Sequence, residues 1–222
     1  MTDILSPEML RFVRATAPDP DDTLAEMHEH AEESNFPHVG PEVGATLRLL
    51  ARLADAERIF EFGSGFGYSA YWFAGALPAD GEIVLTEVDE DELAMAEEYL
   101  AAGGFADRAH FELGDAMETI DRYDGPFDAV LIDHQKHRYR DAFDAVREQV
   151  PPGGVIVADN AITAGPIDTE QLLAHVEGRE PGEMNESTAG IADYLDAVRA
   201  DPDFETVVLP LGEGIAVSYR VE

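Results

Sequence analysis

The stretch from Arg58 to Ala70, RIFEFGSGFGYSA, constrains the fold of this 222-residue chain more than any other. Ile59 to Phe62 is a short apolar run interrupted by one carboxylate, which is the pattern of a buried strand. Gly63, Gly65 and Gly67 follow at alternate positions, and Tyr68 to Ala76 suits a helix. Strand, glycine turn and helix in that order form a cradle. Backbone can approach a ligand there with no Cβ in between, beside the free N–H groups of a helix start. Gly65-x-Gly67-x-x-Ala70, with Glu87 about twenty residues on, also fits a dinucleotide fingerprint.

Glu61 narrows the choice. A carboxylate two residues before the first glycine suits a ligand with positive charge better than a pyrophosphate. S-adenosylmethionine, which carries an ammonium and a sulfonium, is such a ligand. An ordinary α/β turn with a solvated glutamate has the same letters.

The rest of the chain alternates in the same way. Residues 6–34 read as two short helices, with Ser6 capping and Pro7 in the first turn. A third helix opens at Pro41 with Val43, Leu47, Leu50 and Ala54 on one face. Further strands are predicted at 82–88, 110–113, 127–132 and 155–158, with helices from about Leu93 to Gly103 and from Tyr139 to Val150 between them. Residues 191–200 read as helix, and 204–209 with 215–219 as an antiparallel hairpin on the sheet edge. The pattern predicts one α/β domain over 1–222: N-terminal helices over 1–56 and a core over 57–222. The core is a doubly wound, mostly parallel sheet of seven strands ending in that hairpin. Residues 161–190 are too long for an ordinary connection and read as a mobile lid or a contact with a partner chain.

Ligands of such sheets sit outside the carboxyl ends of the strands. This chain puts Glu61 and the glycines, Glu87, Asp115, Asp133 with Lys136, and Asp159-Asn160 at five successive strand ends. Asp133 as a helix cap, or Asp159-Asn160 as a plain turn, would account for single positions but not for the series. His38, His134 and His137 read as polar loop residues, not metal ligands. Arg138 and Arg140 read as partners for nearby acid, and Tyr68 and Trp72 as core or pocket wall.

Charge sets further bounds. The chain has 47 acidic against 14 basic residues, a net charge of -33, spread over its whole length with 45% hydrophobic content. That is not a disordered polyanion. Dispersed acid with a single lysine, Lys136, suits a halophilic protein working in multimolar salt, where self-repulsion is screened. Nucleic acid is a poor partner for such a surface. There is no apolar run of roughly eighteen residues and so no membrane span. Residues 1–5 lack the features of a secretory leader, and with no cysteine there is neither a disulfide nor a thiolate site. A cytoplasmic location is expected.

Glu61-Phe-Gly63-Ser-Gly65-Phe-Gly67-Tyr68-Ser69, Thr86-Glu87-Val88, Ile132-Asp133-His134-Gln135-Lys136-His137-Arg138-Tyr139 and Ala158-Asp159-Asn160 together resemble the cation-dependent O-methyltransferases of the catechol and caffeoyl-CoA type. The resemblance covers roughly residues 35–165 and the terminal hairpin, and it implies a class I, Rossmann-like methyltransferase fold. It also implies that Glu61 and the Gly63, Ser64, Gly67, Tyr68, Ser69 turn hold the methionine end of S-adenosylmethionine, with Val39 backbone completing the carboxylate site. Glu87 and Val88 would meet the ribose. Asp115, Ala116 and Met117 would line the adenine, closed over by Asp133, His134 and Gln135. Gln135 stands where the catechol enzymes carry an aromatic.

In the same resemblance Asp133, Asp159 and Asn160 would bind a divalent cation, for which Mg²⁺ is suited by hard oxygen ligands. Lys136 would act as general base beside Asp133. The expected reaction moves a methyl group to a hydroxyl of a small vicinal-diol acceptor, in a homodimer. Two readings compete: the same fold acting on a tRNA hydroxy-nucleoside, and a nicotinamide oxidoreductase or silent nucleotide-binding module.

Overall fold

β1 (Arg58–Phe62) runs through the middle of a seven-stranded sheet in this computed structural model, which describes residues 4–222. The first three residues, part of the stretch read above for a leader, lie outside those described. The other strands are β2 (Glu82–Glu87), β3 (Ala109–Leu113), β4 (Ala129–Ile132), β5 (Val155–Ala158), β6 (Phe204–Leu209) and β7 (Ile215–Arg220), in the order β3-β2-β1-β4-β5-β7-β6. β1 to β5 pair in parallel, and β7 is antiparallel to both β5 and β6. The hairpin is as expected, but its second strand lies inside the sheet and β6 forms the edge.

Register decides what meets at the strand ends. Phe62 is level with Thr86 and Ile132, and Ile132 with Ala158. Gly63, Asp133 and Asp159 therefore leave the sheet side by side, where the strand order reverses between β1 and β4. A doubly wound sheet opens a crevice at that point.

The helices are α1 (Pro7–Thr16), α2 (Asp22–Ser34), α3 (Gly40–Leu53), α4 (Tyr68–Ala74), α5 (Glu90–Ala102), α6 (Ala116–Ile120), α7 (Tyr139–Val146), α8 (Thr169–Val176) and α9 (Glu186–Ala200). Strand side chains alternate between the two faces. Ile59, Ile83, Leu85, Leu131 and Val157 join one core with α2 to α5, and Phe60, Phe62, Val84, Val130, Ile132 and Ile156 the other with α7 and α9. Trp72 is core, as expected. The Arg14 guanidinium pairs with buried Glu42 at 2.8 Å and ties α1 to α3. Among the described residues no helix is long and apolar enough to cross a membrane.

Within 161–190, Ala161, Ala164, Ile167 and Leu172 pack into the second core despite the Gly- and Pro-rich composition. Two local expectations change. α9 begins at Glu186, five residues ahead of the expected start, because the Asn185 side chain accepts from Thr188 N–H and caps it. α7 ends at Val146, and a 3-10 turn over Arg147–Gln149 completes the stretch read as helix.

Candidate active site

A cleft of about 1070 Å³ opens over the carboxyl ends of β1, β2, β4 and β5. Its floor is the glycine turn. Gly63 has φ +82°, and a Cβ there would lie 3.0 Å from the Asp133 carbonyl oxygen and 3.1 Å from His134 Cα. Gly67 has φ +85°, with a Cβ placed 2.8 Å from that of Ala96. Both positions need glycine for conformation and for space. Buried Thr86 ties the turn down: its hydroxyl donates to the Glu61 carbonyl at 2.7 Å and accepts from Gly63 N–H at 3.2 Å. Glu87 accepts from the N–H groups of Gly65, Val88 and Asp89 at 2.9, 2.7 and 3.1 Å. Its carboxylate is thereby fixed at the cleft wall.

Glu61 lies beneath this turn with no exposed surface, and neither of its carboxylate oxygens has a hydrogen-bond partner. Burial pushes it up to about 8; the nearby Ser69 hydroxyl pulls against that, and the charges of Asp133 and Glu87 add to it. A buried carboxylate without a partner is costly unless a cation or donor arrives to meet it. Glu61 and the glycine cradle therefore fit the positive end of S-adenosylmethionine. Val39, Gly40 and Tyr68 form the adjoining wall. Tyr68 meets His38 edge-on at 4.9 Å, and His38 in turn lies 3.1 Å from His28.

At the β2–β3 end, Asp115 caps α6 through Met117 N–H at 2.8 Å and pairs with Arg138 at 2.7 Å, which holds its carboxyl below the usual range. The His134 ring stacks on Tyr139 at 5.7 Å and 6°. Both its nitrogens are buried without a partner, and burial drives it down to about 4, so the ring is neutral. Gly114, Asp115, Ala116, His134 and Gln135 line the cleft, while the Met117 side chain packs against the second core. Glu61, Gly67 and Ser69 lie under the surface; Ser64, Glu87, Val88, Asp133, Lys136, Asp159 and Asn160 line it.

The β4–β5 end gathers the remaining residues. Lys136, on a 3-10 turn directly after β4, donates to Asp133 Oδ1 and to the Tyr139 hydroxyl, both at 2.9 Å. α9 backs this turn through Gly190, where a Cβ would lie 2.5 Å from the Lys136 carbonyl oxygen. Asp159 is buried, with Oδ1 unpartnered. Burial and then the charge of Asp133 hold its carboxyl well above the ordinary range, against the Asn160 N–H and the Lys136 ammonium; Glu213 adds to the rise. Asn160 donates from Nδ2 to Glu213 Oε2 at 2.7 Å. Among the described residues no three His, Asp or Glu side chains converge as a metal cluster. The available set is two carboxylates and an amide oxygen, hard donors whose crowded negative charge fits a divalent cation.

Glu213 and Gly190 were given no role from the sequence, and Tyr139 only a place in the motif that starts at Ile132. Glu213 reads as part of a Gly-Glu-Gly turn, and only the fold brings it to the cleft and sets Tyr139 and Gly190 behind Lys136.

The sequence profile of the O-methyltransferase family matches residues 14–221. A catechol O-methyltransferase from Niastella koreensis is 33% identical over 153 residues, 66% of this chain and 69% of that protein. A caffeoyl-CoA O-methyltransferase from Eucalyptus gunnii is 27% identical, over 81% of this chain and 72% of its own. Among solved structures, the O-methyltransferase TomG from Streptomyces achromogenes, in complex with SAM, superposes with a TM-score of 0.83 at 24% identity, over 97% of this chain and 96% of that one. An O-methyltransferase from Bacillus cereus, in complex with SAH, gives 0.81 at 23%, over 96% and 97%.

Proposed function

This chain belongs to the O-methyltransferase family, and from that premise we propose that it moves a methyl group from S-adenosylmethionine to one hydroxyl of a small vicinal-diol acceptor at a divalent-cation site. The observation that carries the reading is the grouping of Asp133, Lys136, Asp159 and Asn160 at the level ends of β4 and β5.

The cofactor supplies an electrophilic methyl on its sulfonium. Glu61 meets its ammonium and regains charge in doing so; Ser69 and the Val39 backbone meet its carboxylate. Glu87, fixed by three N–H donors, accepts from the ribose hydroxyls. Asp115, Ala116, His134 and Gln135 enclose the adenine. Asp133, Asp159 and Asn160 would hold a divalent cation, Mg²⁺ by donor type, and such an ion would supply Lewis-acid stabilisation of the ionised form of a hydroxyl whose unperturbed pKa is near roughly 10. Lys136 Nζ would take the proton of the acceptor hydroxyl. Transfer of the methyl from sulfur to the acceptor oxygen would break the S–C bond as the O–C bond forms, cancelling the sulfonium and oxyanion charges. Orientation of the acceptor accordingly carries more of the rate than an oxyanion hole would.

Acidic side chains at the cleft, Glu32 and Glu92 among them, oppose a polyanionic acceptor such as tRNA. The dispersed surface acid supports work in strong salt, and a cytoplasmic homodimer completes the reading. Incubation in strong KCl with S-adenosylmethionine and a panel of catechols, caffeate esters and tRNA, with and without Mg²⁺, tests it by mass spectrometry. The expected result is methylation of a vicinal diol that stops on chelation. Methylation of tRNA alone, or of a diol at full rate in chelator, removes the acceptor or the cation from this reading.

A further inference from the structure

We propose that Glu213 is a positioning residue: its carboxylate fixes which end of the Asn160 side-chain amide faces the cation site. The proposal rests on the metal reading of Asp133, Asp159 and Asn160. An amide binds a hard cation through oxygen, and its nitrogen end would present protons instead. The two ends are nearly the same size, so packing alone does not choose between them. A carboxylate does choose, because when ionised it can only accept. Glu213 Oε2 lies 2.7 Å from Asn160 Nδ2, which turns the nitrogen toward the hairpin and leaves Oδ1 for the cleft that Asp133 and Asp159 also line.

The turn that delivers Glu213 is built to hold it there. Ala161 N–H donates to the Gly214 carbonyl at 2.7 Å, and Thr163 N–H to the Glu213 carbonyl at 3.0 Å, so the β6–β7 turn is laced to the backbone just after Asn160. Gly214 has φ +92°, and a Cβ there would lie 2.5 Å from Ile162 Cγ1. Gly212 has φ +56°, with a Cβ placed 2.9 Å from Val43 Cγ2. The glycines on both sides of Glu213 thus let the turn close against β5 and α3. Asn160 itself has φ +56°, a left-handed conformation that Asn and Asp tolerate better than other residues with a side chain. Its backbone is therefore also held at the site, and the amide orientation is the remaining freedom. Partners of ligating groups commonly matter about 10- to 100-fold in metal affinity.

The test is Mn²⁺ binding, followed by electron paramagnetic resonance in strong KCl, with the Asn160→Asp background separating the bare loss of one charge from the loss of amide orientation. The variants are Glu213→Gln, Asn160→Asp and the double variant. In the wild-type background, Glu213→Gln can donate as readily as accept; it should weaken Mn²⁺ binding about tenfold or more with S-adenosylmethionine affinity kept. With Asp at 160 both ends of the group are oxygen and there is nothing to orient. The second substitution should then change Mn²⁺ affinity by less than about twofold. Equal losses in both backgrounds would make Glu213 a direct ligand and overturn the proposal, as would unchanged binding in Glu213→Gln. Failure of the unmodified protein to bind Mn²⁺ would instead overturn the metal reading, and the proposal with it.

Discussion

Lys136 Nζ lies 2.9 Å from Asp133 Oδ1 and 2.9 Å from the Tyr139 hydroxyl, so the only lysine of the chain is held between a carboxylate and a fully buried phenol. Burial, then the charges of Asp133 and Asp159, keep that phenol well above its ordinary pKa and therefore protonated. A side chain with four rotatable bonds is thus fixed at its tip, which suits a group that must meet one proton in one place.

Replacing Lys136 with Ala should lower turnover by about 10² to 10⁴-fold, the usual range for a general base, while calorimetry finds S-adenosylmethionine affinity within about twofold of wild type. Wild-type turnover in the variant would remove the assigned role.

Glu61 sets a pH dependence. Its folded-state pKa of about 8 lies above the ordinary 4.5. Between those values the native state holds the extra proton, so the stability of the unliganded protein should fall as pH rises from about 5 to about 8 and level off beyond. Glu61→Gln lacks this term. Its melting temperature should gain on wild type across that window, by roughly 5 °C or more, while its cofactor affinity falls. Parallel melting curves for the two proteins at all pH values would contradict the burial argument.

A similar sign applies to Asp159, whose carboxyl is held high by burial and by Asp133. Its contribution to unliganded stability falls as pH rises above the ordinary carboxylate range. A divalent cation that neutralises the pair should raise the melting temperature, more as pH rises, and Asp159→Asn should abolish most of that rise. No thermal response to Mg²⁺ or Mn²⁺ at any pH would argue against a site here.

Gly190→Ala tests the support behind Lys136. The added Cβ would lie 2.5 Å from His137 Cα and from the Lys136 carbonyl oxygen, all backbone or rigid neighbours. Overpacking of this kind costs about 1–3 kcal/mol, read by urea denaturation, and kcat should drop while cofactor affinity holds. Gly165, at the cleft wall, has nothing within 4 Å of a Cβ. Gly165→Ala should leave stability nearly unchanged.

The parallel core was legible because each strand is a short apolar run closed by a polar residue or glycine: Phe62-Gly63, Ile132-Asp133 and Ala158-Asp159 announce both the strand and what stands at its end. The alignment of those ends was not, since it depends on register. α6 is five residues long and follows a strand directly, too short to show a helical period. Glu213 was hidden by its own flanks: between two glycines it reads as turn chemistry, and its partner Asn160 is 53 residues away. The burial of Ala161, Ala164 and Ile167 within 161–190 was not legible, because glycine and proline content says little about which residues of a connection pack inward.

The place of β7 between β5 and β6 has a consequence for biosynthesis. A chain emerging N-terminus first presents β5 with its outer edge unpaired until residues 215–220 have been made, an interval of seconds at about 5–20 residues per second. An open edge on a strand this apolar is a template for pairing with other chains.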